Sequence, residues 1–155
     1  MVSVTGFSPL SKADARVLVL GSMPGVKSLE MQQYYGHPRN GFWPIMTCLF
    51  GTINIDDYRQ KQDLLTANKI ALWDVLKNCY RPGSMDSAID QDRLECNDFA
   101  RFFCSHPDIR RVYFNGAAAE KIYKKWVDPV LVDDYGYLQY YKLPSTSPAY
   151  AAMSL

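Results

Sequence analysis

Four short runs of leucine, β-branched and aromatic residues divide the chain: Arg16 to Leu20, Lys69 to Val75, Arg111 to Phe114 and Leu138 to Leu143. The first three are nearly continuous in apolar character, the pattern of strands covered on both faces. Helical patterns lie between them. Phe42 to Phe50 sets Phe42, Ile45, Met46, Leu49 and Phe50 on one stripe, with Pro44 acceptable only in its first turn. Asp56 to Ala67 opens on an acidic pair and carries Tyr58, Leu64 and Leu65. Ser87 or Asp90 can cap a helix running through Leu94, Phe99, Phe102 and Phe103 and ended by His106-Pro107. Ala117 to Trp126 follows Asn115-Gly116 and is strongly helix-forming. Strands alternating with helices predict an α/β sandwich with a mainly parallel sheet.

In such sheets ligands bind beyond the carboxyl ends of the strands. The loops expected there are 21–40, 74–87, 115–116 and 144–149, and these have the oddest composition in the chain. Gly21-Ser22-Met23-Pro24-Gly25 follows the first run directly. Its glycines allow a turn or close approach of a ligand to backbone. It lacks the lysine ending of a phosphate loop and the third glycine of a dinucleotide fingerprint. Ser22 as a hydrolase nucleophile is one reading, without the glycine-flanked elbow or an ordered triad to support it.

Tyr34-Tyr35-Gly36-His37-Pro38-Arg39-Asn40-Gly41-Phe42-Trp43 comes next. Paired tyrosines outside any clean period suit either core or an exposed stacking face. His37 is a structural hydrogen-bonder or an acid–base group. The Asn40 amide cannot act as a proton-transfer base, but it can hold a water through its carbonyl oxygen or donate from its NH₂. Leu143-Pro144-Ser145-Thr146-Ser147-Pro148-Ala149 sets three hydroxyls between prolines, a stiff loop suited to phosphate contacts or simply a Ser/Thr turn. Tyr80-Arg81-Pro82-Gly83-Ser84 adds a basic turn at the same sheet edge, and Asp74, after Trp73, either meets a base edge or caps a turn. Rings, amides and turn-formers together describe a pocket for a flat, polar ligand.

The whole chain sets wider limits. Its 155 residues make one domain, 1–155, with room for a real core. A net charge of +1 is not the footprint of a protein that coats DNA, yet a DNA enzyme can take phosphates with backbone N–H groups and a few basic residues. Cys48, Cys79, Cys96 and Cys104 form no CxxC pair, and neither His37 nor His106 completes a zinc-finger spacing. With Cys96 and Cys104 eight positions apart on the expected helix, reduced, buried thiols in a cytosolic protein are the expectation. No signal peptide or membrane-length apolar run is present in the sequence.

Taken together, the segments at 21–25, 34–43 and 143–149, with Ile70 to Val75 and Gly83 to Ser87, resemble the uracil-DNA glycosylase superfamily, and within it the hypoxanthine-DNA (deoxyinosine) glycosylase branch. The resemblance spans nearly the whole chain in order. It implies a three-layer α/β/α sandwich around a four-stranded, mainly parallel sheet. It also implies a monofunctional enzyme with no metal or cofactor, acting as a monomer in the cytoplasm on damaged DNA, associated with the nucleoid in a prokaryote. Met23 stands where uracil-removing relatives carry the Asn or Asp that directs water, and the branch's water-directing amide maps to Asn40. Tyr35 maps to the ring that stacks on the flipped base. Ser22, Met23, Pro24, Gly25 and Asp74 would line the base site. Ser145, Thr146 and Ser147 map to the loop that enters the duplex, with Arg39 and Arg81 as further DNA contacts. Two departures stand out: Tyr150 replaces the branch's Asn, and only five residues follow it where a final helix is expected.

The implied chemistry is flipping of the lesion nucleotide, stacking on Tyr35, and hydrolysis through an oxocarbenium-like state. Asn40 would hold the water, and backbone donors at 22–25 with Asn40 or His37 would stabilise the departing purine. No lysine maps to a Schiff-base position, so strand cleavage is not expected. The alternatives are a nucleotide-binding α/β domain without this activity, a glycosylase acting mainly on uracil or xanthine, and a Ser22 esterase.

Overall fold

The computed structural model describes residues 2–51, 55, 57–131 and 133–148. The chain runs β1 (Ser3–Thr5), β2 (Val17–Gly21), α1 (Val26–Met31), α2 (Phe42–Leu49), α3 (Tyr58–Ala67), β3 (Ile70–Asp74), β4 (Leu76–Tyr80), β5 (Leu94–Cys96), α4 (Phe99–Ser105), β6 (Arg111–Asn115), α5 (Ala117–Ile122) and β7 (Gln139–Leu143). Four of these strands, in the order β3-β2-β6-β7, form an entirely parallel sheet. They are the four apolar runs, displaced at their ends by at most one residue.

Strand geometry turns each run into two faces. Leu18 and Leu20 of β2 share one buried cluster with Ala71, Trp73, Val112 and Phe114, and with Phe99, Phe102 and Phe103 of α4 and Ile122 of α5. The residues between them, Val19 and Leu72, point into a second cluster with Phe42 and Trp43 of α2 and Leu65 of α3. Helices therefore cover both faces, giving the three-layer α/β/α sandwich. Each fully buried leucine contributes about 1.5–3 kcal/mol of burial energy, and Leu18, Leu20 and Leu72 are all fully buried.

The strand order positions the site. From β2 the chain crosses to β3 on one side and later returns to β6 on the other, so the connections diverge between β2 and β6. Register pairs Gly21 with Asp74 and Asn115 with Leu143, which places all four carboxyl ends at one edge. A crevice opens where connections diverge at that edge, and ligands bind there in sheets of this kind.

Several expectations are corrected. The segment 74–87 is not all loop: past Val75 the chain continues into β4, which pairs antiparallel with β1 and β5 in a small second sheet. Leu94 and Cys96 lie in β5, so the fourth helix starts only after Asp98, whose carboxylate accepts the Arg101 N–H at 3.1 Å. Asp90 instead closes its own turn, accepting from Asp92 N–H and Arg93. The 21–40 segment contains α1. Regular α-helix in the 117–126 segment ends at Ile122 and passes into wider π-type turns. Leu49 faces solvent rather than joining the expected stripe. Of the four thiols only Cys79 is buried, while Cys48 and Cys104 are exposed and all four are free. Asp56, Ala149 and Tyr150 lie outside the described residues. Among those described, no helix is long and apolar enough to cross a membrane.

Candidate active site

Gly21 is the last residue of β2, and its missing side chain makes the crevice. A Cβ there would sit 2.6 Å from Asp74 Oδ1 and 3.2 Å from Tyr35 Oη. Only glycine lets the carboxyl and the phenol converge on the strand end. A cavity of about 140 Å³ opens beside them. That is small against the roughly 300–1,000 Å³ of a drug-sized site, and suits a single ring system.

Eleven of the thirteen residues expected from sequence line this cavity: Ser22, Met23, Pro24, Gly25, Tyr35, His37, Asn40, Asp74, Ser145, Thr146 and Ser147. The Ser22 hydroxyl is 8% exposed and donates to Asp86 Oδ1 at 2.6 Å, so it serves a carboxylate rather than a histidine. That removes the basis for an activated nucleophile there. Met23 is 7% exposed and belongs to the core cluster below the site. No amide or carboxylate stands at this position to direct a water.

Tyr34 and Tyr35 divide the two roles the sequence left open. Tyr34 is core: its hydroxyl donates to the Ser8 carbonyl at 2.7 Å, and its own carbonyl accepts from Trp43 Nε1 at 2.8 Å. Tyr35 is thrown to the cavity by a left-handed backbone, φ 53°. A non-glycine residue held there stores strain that neighbouring contacts must offset. Here Phe42 backs the Tyr35 ring at 4.2 Å and 22° between planes. Burial raises the Tyr35 hydroxyl above the usual phenol range, nearby Asp74 adds to the rise, and a hydrogen bond with Asn115 opposes it.

Asn40 sits on the same wall. Its backbone N–H donates to the His37 carbonyl at 2.9 Å, and its Oδ1 accepts the Phe42 N–H at 2.9 Å, just ahead of α2. These bonds fix the amide plane. One Oδ1 lone pair and both Nδ2 hydrogens remain for a ligand or water. His37 Nδ1 accepts the Arg39 N–H at 3.1 Å, which fixes the tautomer with its proton on Nε2.

The loop after β7 is tied down from two sides. Asn115 Nδ2 donates to Thr146 Oγ1 at 2.9 Å, and Asn115 Oδ1 accepts the Thr146 N–H at 3.0 Å. The Thr146 carbonyl accepts the Gly41 N–H at 3.0 Å, and Ser145 Oγ accepts the Ser147 N–H at 3.1 Å. Gly116, at φ 98°, lets the loop close in, since a Cβ there would stand 3.1 Å from Ser145 Cβ.

Arg39 and Arg81 do not join the lining. Arg39 is exposed on the surface. Arg81 is corrected outright as a DNA contact, because it is 1% exposed and no phosphate can reach it. Its Nη2 donates to the Pro24 carbonyl at 2.7 Å and its Nε to the Gly83 carbonyl at 2.8 Å, locking one turn onto the other. Sequence reading missed Asn115 and Asp86 as site residues. The available signal was position: Asn115 ends a parallel strand as Gly21 and Asp74 do.

Electrostatically the base of the cavity holds Asp74, Asp86 and Arg81. Burial pushes the Asp74 carboxyl up to about 7, the Asp86 charge adds to this, and the Arg81 guanidinium opposes it. Among the described residues no cluster of three or more His, Cys, Asp or Glu side chains could hold a metal ion.

The chain is similar to known proteins over most of its length. The model of the family described as the uracil DNA glycosylase superfamily matches residues 8–154. The chain is 38% identical over 112 residues to the hypoxanthine DNA glycosylase of Methanosarcina barkeri, covering 72% of this chain and 70% of that one. It is 40% identical over 116 residues to the hypoxanthine DNA glycosylase of Methanosarcina acetivorans, covering 74% and 72%. A solution NMR structure of a candidate uracil DNA glycosylase from Methanosarcina acetivorans superposes with a TM-score of 0.81 at 32% identity, over 99% of this chain and 91% of that one. The chain belongs to the uracil DNA glycosylase superfamily.

Proposed function

We propose that this chain is a monofunctional DNA glycosylase that removes hypoxanthine from deoxyinosine lesions in base excision repair. The carrying observation is that Tyr35 and Asn40 line one base-sized cavity together with the 145–147 loop. The relatives named hypoxanthine DNA glycosylase support the choice of base.

A base inside a duplex is out of reach, so the nucleotide is flipped into the cavity, and weak pairing at the lesion lowers the cost. Tyr35 stacks on the purine, worth roughly 1–3 kcal/mol. A water held by Asn40 attacks C1′ as the C1′–N9 bond breaks; the bonding electron pair leaves with the base, and the proton the water loses ends on the departing purine, which is released as neutral hypoxanthine. Positive charge builds on the sugar as in glycoside hydrolysis. Nε2–H of His37 and the backbone N–H groups of Ser22, Met23 and Gly25 would stabilise the departing base. Ser145, Thr146 and Ser147 meet the DNA backbone beside the lesion, with exposed Arg39 nearby on the surface. All these groups come from one chain, so the site as read needs no residue from a second copy.

Labelled duplexes carrying deoxyinosine, deoxyuridine or deoxyxanthosine, incubated with the protein and then treated with alkali, test the reading. Alkali-dependent nicking strongest at deoxyinosine is expected. Absence of nicking at every lesion, together with saturable mononucleotide binding, contradicts it.

A further inference from the structure

Asp74 ends β3 with 4% of its surface exposed, yet it lines the cavity. Its Oδ2 is buried and meets no hydrogen-bond donor among the described residues. The groups around it come from every neighbouring element. Asp86 approaches from the 3-10 turn 86–88, Arg81 from the end of β4, Tyr34, Tyr35 and His37 from the segment before α2, and Lys27 from α1 at the rim. Arg81 brings one positive charge against two carboxyls, and its formed hydrogen bonds go to the Pro24 and Gly83 carbonyls. Asp86 is served by the Ser22 hydroxyl. Asp74 is left as the carboxyl without a donor. Arg81 Nη1 is also buried without a hydrogen-bond partner, and no ion pair joins it to Asp74 among the described residues. A buried carboxylate without a donor is costly, and a proton removes that cost.

We propose that Asp74 is held as a neutral carboxylic acid whose Oδ1, at the Gly21 end of the cavity, carries the O–H and donates it to O6 of the flipped base. This rests on the cavity being a hypoxanthine site. A carboxylate offers only acceptors and sets a lone pair against O6, whereas the acid offers a donor. Deamination of adenine replaces its exocyclic amine with that O6 acceptor. The proton on Asp74 thus matches the base to be removed, and ionisation of Asp74 weakens excision as pH rises.

Two measurements on the intact protein test this. The first is an NMR titration of isotope-labelled aspartate carboxyls, with the Asp74 signal assigned by its loss in Asp74→Asn. The expected midpoint is about 7, moving to lower pH in Asp86→Asn, where the neighbouring charge is gone. A midpoint in the ordinary carboxylate range overturns the proposal whether or not the protein excises anything. The second is single-turnover excision from a deoxyinosine duplex between about pH 5 and about pH 9. The wild-type rate should fall roughly tenfold per unit above the midpoint. Asp74→Asn, a permanent donor and acceptor, should stay within about tenfold of wild type at acid pH and lose the alkaline fall. A loss of about 100-fold or more in folded Asp74→Asn at acid pH shows that the carboxylate is needed and overturns the proposal. A wild-type protein that titrates Asp74 near 7 but excises no hypoxanthine overturns the functional reading and the base-edge assignment, while supporting the proton assignment.

Discussion

Asn115 grips Thr146 at both ends of its amide, donating from Nδ2 to Oγ1 at 2.9 Å and accepting the Thr146 N–H at Oδ1 at 3.0 Å. A strand end of the central sheet thereby sets the position of the 145–147 loop. Asn115→Ala removes both bonds, each worth about 1 kcal/mol net. The expected result is a loss of about 2 kcal/mol in denaturant unfolding and a fall of at least about tenfold in single-turnover excision. Unchanged excision would show that the loop holds its position without Asn115.

Arg81 is a buried brace between two turns, and its removal should read as lost stability. Arg81→Ala removes two hydrogen bonds from a charged donor, each worth about 1.5–3 kcal/mol. Arg81→Lys should recover little, because an ammonium cannot reach two separate carbonyls as the guanidinium fork does. The slope of DNA affinity against salt should not change in any variant that folds, since no phosphate contact is lost. A shallower slope would place Arg81 on the DNA after all.

Gly21→Ala puts a methyl group 2.6 Å from Asp74 Oδ1 and 3.2 Å from Tyr35 Oη. Overpacking of this kind costs about 1–3 kcal/mol. Both side chains must move away from the strand end, so excision should fall by about 100-fold or more in protein that still melts cooperatively. Activity close to wild type would show that the cavity tolerates a Cβ.

Stability should carry the mark of Asp74. Its carboxyl is raised from 3.8 to about 7 in the fold. Between those values the folded chain holds a proton that the unfolded chain has released, so stability falls as pH climbs through the window and levels above it. Asp74→Asn removes this penalty. Thermal melts should find the variant more stable than wild type at about pH 8, with the gap closing below about pH 4. A gap that does not change with pH would mean that Asp74 titrates normally.

The central strands were legible because they are buried on both faces, and continuous apolar runs such as Val17 to Leu20 report that directly. Leu76 to Tyr80 was not, because a half-buried strand interleaves Leu76 and Cys79 with Lys77 and Asn78. Asp98 rather than Asp90 starts α4, a choice that depends on β5 folding back to pair with β4. Within the site, the segment around Asn40 was legible from its residue types. The division of labour between Tyr34 and Tyr35 was not, since it follows from one left-handed residue. Arg81 misled because a cation in a glycine turn ordinarily faces solvent, and its partners are carbonyls that no sequence pattern displays.

Asn40 carries the central claim, and its two duties are separable. Its Oδ1 caps the Phe42 N–H, a bond worth about 1 kcal/mol, while the rest of the amide faces the cavity. Asn40→Asp keeps an acceptor for the cap and loses the amide donors, whereas Asn40→Ala loses both. The deciding measurement is single-turnover release of hypoxanthine from a deoxyinosine duplex by wild type and Asn40→Ala, with folding confirmed by thermal melting. A drop of at least about two orders of magnitude, with about 1 kcal/mol of lost stability, is the predicted result. Near-wild-type excision by folded Asn40→Ala would contradict the assignment of the water-directing group and the mechanism built on it.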